Sequence, residues 1–148
     1  MNQKDKELLN ILQFDFPISE RPYQEIGRKL HLSETRVIKQ VKSLKEQNII
    51  RRIGAVFESD RVKHVSVLVA AKVGKDKTKE AKAVISKYHQ ITHAYLRSHE
   101  YNLWFTITAA SQAEILRLAG EIKQSAGLAE LHVLPALKKF KIDTRFKL

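Results

Sequence analysis

Apolar residues recur at helical spacing three times within the first fifty positions. Residues 4–13 carry Leu8, Leu9, Ile11 and Leu12 as one stripe behind the acidic Asp5, which predicts a first helix. Pro17 and Pro22 interrupt the pattern. Tyr23 to Leu30 predicts a second, short helix burying Ile26 and Leu30, and His31-Leu32-Ser33 a tight connection. Ser33 is a good N-cap for a third helix running to about Gln47, with Val37, Val41 and Leu44 facing inward and Asn48 ending it. Ile49 to Phe57 is rich in β-branched residues and predicts a strand. Three helices and a strand make a winged helix-turn-helix, assigned to residues 1–58.

The period then changes. Val65 to Val73 predicts an apolar strand, and residues 78–88 a helix with Ala81, Val84, Ile85 and Tyr88 on one face. Ile91 to Arg97 and Asn102 to Ala109 predict a hairpin around Ser98-His99-Glu100-Tyr101. Residues 111–124 predict a helix burying Ile115, Leu118, Ala119 and Ile122, and Leu131 to Leu137 a last strand. The order β-α-β-β-α-β is that of a ferredoxin-like domain, assigned to residues 59–148, so the fold class is α+β. Both helices cover one sheet face. The other face needs a cover, and a second copy or a homologous chain supplies it most simply.

Composition narrows the function classes. The chain has 148 residues, with 27 basic and 16 acidic groups and 43% hydrophobic residues, which excludes bulk disorder. No apolar run approaches the ~20 residues that a membrane helix needs. From the polar start Met1-Asn2-Gln3-Lys4-Asp5 no secretory signal is expected, and the expected location is cytoplasmic. The absence of cysteine excludes thiolate zinc, iron–sulfur clusters and a Cys nucleophile, and no His or carboxylate spacing suggests a structural metal. The net charge of +11 calls for a polyanionic partner. Residues 1–64 hold a net +4 and residues 65–148 a net +7, so the excess is not concentrated in the helix-turn-helix. DNA binding is therefore expected to be absent or weak, although Glu34, Thr35, Arg36, Lys39, Lys42 and Ser43 would form a usable reading surface.

Strand alternation places His93, Tyr95 and Arg97 on one face, with Ala94 and Leu96 behind them. On the next strand Asn102 and Trp104 join that face, while Leu103, Phe105 and Ile107 point to the helices. His99 lies at the hairpin rim. A dimer seam alone would be built from residues such as Val and Thr; an Arg, imidazoles, phenols and an indole together suit a flat aromatic ligand bearing carboxylates.

A winged helix joined to a βαββαβ unit resembles the Lrp/AsnC family over nearly the whole chain. Two runs are more specific. Ile50-Arg51-Arg52-Ile53-Gly54-Ala55-Val56-Phe57 and Ala94-Tyr95-Leu96-Arg97-Ser98-His99-Glu100-Tyr101-Asn102-Leu103-Trp104-Phe105-Thr106 resemble the signature of siroheme decarboxylases. That resemblance implies a subunit removing carbon dioxide from two acetate side chains of siroheme, giving didecarboxysiroheme in heme biosynthesis. It implies a carboxy-lyase with no cofactor beyond the iron carried by its substrate, working with a paralogous subunit or with itself. His99 is then the expected proton donor, with Tyr95 and His93 as alternatives. Arg97, Arg51 and Arg52 are expected to anchor carboxylates, Tyr101 and Trp104 to wall the macrocycle, and Asn102 to contact it. Two competing readings stay open: an Lrp/AsnC-type DNA-binding regulator, and a heme-responsive sensor.

Overall fold

The computed structural model describes the backbone of residues 1–148 and every side chain except that of Asp60. The chain divides into two compact units, residues 1–55 with 141–148, and residues 56–140.

In the first unit, α1 (Gln3–Phe14), α2 (Pro22–Leu30) and α3 (Glu34–Glu46) form the expected three-helix core. Asn2 and Asp5 cap α1 reciprocally, which draws the Asp5 carboxyl below its usual range, and the Ser33 hydroxyl accepts from the Arg36 amide at 3.3 Å. Leu8, Leu9, Ile26, Leu30, Val37, Val41, Leu44 and Ile50 are buried together. The turn between α2 and α3 is tight enough to dictate its residues. The Leu32 amide bonds back to the Gly27 carbonyl at 2.8 Å, and a Cβ on Gly27 would stand 2.5 Å from the Leu32 carbonyl oxygen. Glycine fits that approach because it has no Cβ.

Two expectations need correction. Ile49 to Phe57 forms no strand: Ile50 enters the helical core, while Ile53, Val56 and Phe57 are exposed. β-propensity expresses packing on a paired, half-buried surface, and no ladder takes up this segment among the described residues. Residues 141–148, assigned to the second domain from sequence, fold with the first unit. Asn10 grips the backbone N–H and C=O of Leu148 at 3.1 and 3.2 Å, and Gln13 grips those of Phe146 at 3.3 Å each. This transfer moves charge. The first unit holds 14 basic and 8 acidic residues, the second 13 and 8, so net charge no longer sets the helix-turn-helix apart as the less basic part.

In the second unit a 3-10 turn at Ser59–Val62 leads into β1 (Val65–Lys72), α4 (Thr78–Ile85), β2 (Ile91–Leu96), β3 (Leu103–Ala109), α5 (Gln112–Ser125) and β4 (Glu130–Pro135). The sheet is antiparallel in the order β2-β3-β1-β4. Val67, Val69, Leu103, Phe105 and Ile107 pack against Ala81, Ile85, Ile115, Leu118 and Ile122 on the helix side. β2 departs from expectation. Ala94 and Leu96 point to the helix side but stay exposed, because α4 stops at Ile85 and leaves this edge strand partly uncovered.

Candidate active site

The face opposite the helices is built by register. A bulge at Thr92 lets Ile91 pair with Ile107 in the core while His93 pairs with Thr106 on the open side. From there alternation holds, and Tyr95 pairs with Trp104. His93, Tyr95 and Arg97 form one column: the imidazole stacks on the phenol ring with centroids 6.4 Å apart, and the Arg97 guanidinium lies 5.8 Å from the Tyr95 centroid. Such a column offers aromatic surface and fixed positive charge side by side. Tyr95 is 54% exposed, so a planar ligand has access to it.

A second cluster covers the hairpin end of the same face, and sequence reading found half of it. Tyr101 is its hub. The phenol hydroxyl donates to Glu130 Oε2 at 2.9 Å and lies 3.2 Å from His132 Nε2. The ring stacks on His99 at 6.2 Å and meets His132 edge-on at 5.0 Å. The Tyr101 amide donates to His99 Nδ1 at 3.1 Å, which fixes the ring by its Nδ1 side. The Trp104 indole N–H donates to the Tyr101 carbonyl at 2.6 Å, fixing the indole on the face. Lys72 bonds Glu100 at 2.8 Å and lies 3.8 Å from Glu130. The hydrogen bond to Glu130 pushes the Tyr101 phenol above its ordinary value, Lys72 holds the Glu100 carboxyl low, and Glu100 in turn raises Lys72.

Thus His93, Tyr95, Arg97 and Trp104 share one area, and His99 and Tyr101 adjoin each other at the hairpin. Asn102 does something else. Its amide accepts from the Val73 N–H and donates to the Val73 carbonyl, both at 2.9 Å, stapling the hairpin to the end of β1. Arg51 and Arg52 lie exposed on the segment after α3, in the first unit. Lys72, Glu130 and His132 were missed, although alternation in β4 does put Glu130, His132 and Leu134 on one face. That β4 lies beside β1 rather than at the hairpin edge is a matter of topology.

Comparison with known proteins separates fold from activity. Residues 5–51 match the siroheme decarboxylase NirDL-like HTH domain, and residues 63–141 the AsnC-like ligand binding domain. The chain is 43% identical over its whole length to the siroheme decarboxylase alpha subunit of Desulfovibrio desulfuricans, covering 85% of that protein. Among solved structures, the leucine response regulatory protein LrpA of Mycobacterium tuberculosis superposes with a TM-score of 0.84 at 19% identity, over all of both chains. That likeness is one of fold. The siroheme decarboxylase NirDL superposes with a TM-score of 0.68 at 25% identity, matching 99% of this chain and 48% of its own.

Proposed function

The chain belongs to the siroheme decarboxylase family, and from that premise we propose that it is a siroheme decarboxylase subunit. Its reaction removes carbon dioxide from two acetate side chains of siroheme, giving didecarboxysiroheme for heme biosynthesis, with the cytoplasm as its place of action. The observation that carries this reading is the Tyr95–Trp104 pair with Arg97 beside it on an open sheet face. A flat, polyanionic macrocycle needs aromatic walls and cationic anchors within one patch, and an amino-acid ligand does not.

The chemistry asks for proton control. Departure of carbon dioxide leaves an electron pair that needs a sink, which a pyrrole protonated beside the substituent provides. The exocyclic carbon then takes a proton and becomes a methyl group. One proton is consumed per carbon dioxide released and no net oxidation occurs, so the balance requires no cofactor beyond the iron the substrate brings. His99 in its imidazolium form is the proposed donor through Nε2, with the Tyr101 amide contact to Nδ1 giving way on protonation; Tyr95 and His93 are the alternatives. Arg97 grips a carboxylate from beside Tyr95, where a planar guanidinium makes a two-pronged contact. Arg51 and Arg52 are further anchors, and Trp104 and Tyr101 wall the ring.

A homologous chain, a paralogue or a second copy, completes the pocket by covering the open face. The relatives named as subunits favour this, and the NirDL chain is long enough to hold two such modules. The regulator reading has less support, because Tyr95, Arg97, His99 and Trp104 serve no evident purpose in it.

The test is to mix the purified protein with siroheme and its partner chain without oxygen and follow product masses. Loss of two carbon dioxide units is expected. Binding without mass loss would favour the sensor. No siroheme binding together with salt-sensitive, sequence-specific DNA binding would favour the regulator.

A further inference from the structure

Each decarboxylation places protons at two neighbouring carbons, one in the pyrrole ring and one outside it, so a single donor leaves half of the task unassigned. The open face holds a second proton-bearing group next to His99. The Tyr101 ring stacks on the His99 ring, and its hydroxyl is held between Glu130 Oε2 at 2.9 Å and His132 Nε2 at 3.2 Å. These contacts tie Tyr101 across the sheet to β4.

Resting on the decarboxylase reading above, we propose that Tyr101 is the second proton-handling residue of this site, delivering the proton that turns the exocyclic carbon into a methyl group, with Glu130 and His132 as its positioning residues. In the step, the bond between the acetate methylene and its carboxylate breaks. Carbon dioxide leaves and the electron pair passes into the protonated ring. The exocyclic carbon then bonds the hydrogen of Tyr101 Oη, the ring returns its own proton, and the phenolate is reprotonated through His132 Nε2. The sum is one proton taken from solvent per carbon dioxide released. Rotation about the Cζ–Oη bond, a soft torsion, redirects the hydrogen from Glu130 to substrate. His132 is 53% exposed at its side chain in the single chain, and its Nε2 stands next to the hydroxyl that it would resupply.

The surrounding charges suit this role better than carboxylate binding. Around the phenol stand Glu130 and His132 from β4, Lys72 from β1, and His99 and Glu100 from the hairpin. Lys72 is already engaged by Glu100, so it is not a spare cation for a substrate acetate. The hydrogen bond to Glu130 keeps the phenol protonated between turnovers. His132→Gln retains a hydrogen-bond donor near the hydroxyl but carries no titratable proton, which makes it the informative variant at that position.

The experiment uses the complex of this chain with its partner subunit, siroheme as the probe, and oxygen-free conditions. Tyr101→Phe should lower kcat by ~10²–10⁴-fold while siroheme affinity, read from its absorption band, stays within about threefold. His132→Gln should lower kcat less than Tyr101→Phe does and change the shape of its pH profile. A Tyr101→Phe complex with kcat within threefold of the wild type would overturn the proposal. Parallel losses of affinity and kcat would also overturn it, making Tyr101 a wall of the pocket and nothing more. An unchanged pH profile in His132→Gln removes His132 from the relay. A wild-type complex that binds siroheme and releases no carbon dioxide refutes the decarboxylase reading itself, and the Tyr101 role falls with it.

Discussion

Asn102→Ala separates a structural staple from a ligand contact. The wild-type amide satisfies the N–H and the C=O of Val73, each at 2.9 Å, in a partly buried setting at the end of β1. Alanine leaves both groups unpaired. A buried polar group without a partner costs about 1–3 kcal/mol, and partial access of water at this edge favours the lower half for each. The two together give a loss of about 2–4 kcal/mol. Trp104 is the one tryptophan in the chain and lies in the unit of residues 56–140, so its fluorescence reports unfolding of that unit. With a urea dependence of about 1–1.5 kcal/mol per molar for a unit of this size, the midpoint should fall by about 2 M. Asn102→Asp should fall between, since it keeps the acceptor for the Val73 N–H and loses the donor for the carbonyl. The measurement pairs urea titration with siroheme titration. A midpoint within about 0.2 M of wild type, accompanied by weaker siroheme binding, would refute the staple and return Asn102 to the substrate contacts.

Gly27→Ala should destabilise the helix-turn-helix by about 1–3 kcal/mol, because the new Cβ meets the backbone oxygen of Leu32 rather than a side chain that can swing away; urea unfolding followed by circular dichroism checks this. Arg97→Ala should raise the siroheme dissociation constant before it lowers turnover, whereas His99→Ala should lower turnover by ~10²–10⁴-fold with affinity nearly kept; equal effects on both quantities in both variants would contradict the division of roles. Arg145 holds the Asp143 carboxyl down at about 2, so their contact supports the fold fully above the ordinary aspartate value and is lost as pH falls toward about 2. Amide resonances of Phe146 and Leu148 should therefore stay native-like from pH 7 to about 4 and broaden below about 3, and Asp143→Asn should remove that pH response.

The periodicity of the chain determined its helices and its sheet, because burial of one stripe per helix and one face per strand is a local demand. Val37, Val41 and Leu44 on α3, and Ile115, Leu118, Ala119 and Ile122 on α5, are buried as their spacing required. The shared open face of the hairpin was legible for a similar reason, because alternation alone puts His93, Tyr95 and Trp104 on it. Tertiary structure decided what depended on distant partners. The segment from Ile49 to Phe57 has strand-forming residues and no strand, since a ladder requires a neighbour that sequence cannot supply. Residues 141–148 fold with α1 because the side-chain amides of Asn10 and Gln13 match the backbone of Leu148 and Phe146, and amide-to-backbone pairing leaves no periodic trace. Asn102 carries the same polarity as a ligand contact, and only the arrival of Val73 at its amide makes it a staple. Glu130 and His132 lie 29 and 31 residues from Tyr101 along the chain and reach it because β4 pairs with β1 in the sheet, and hydrogen-bond geometry is set by that adjacency.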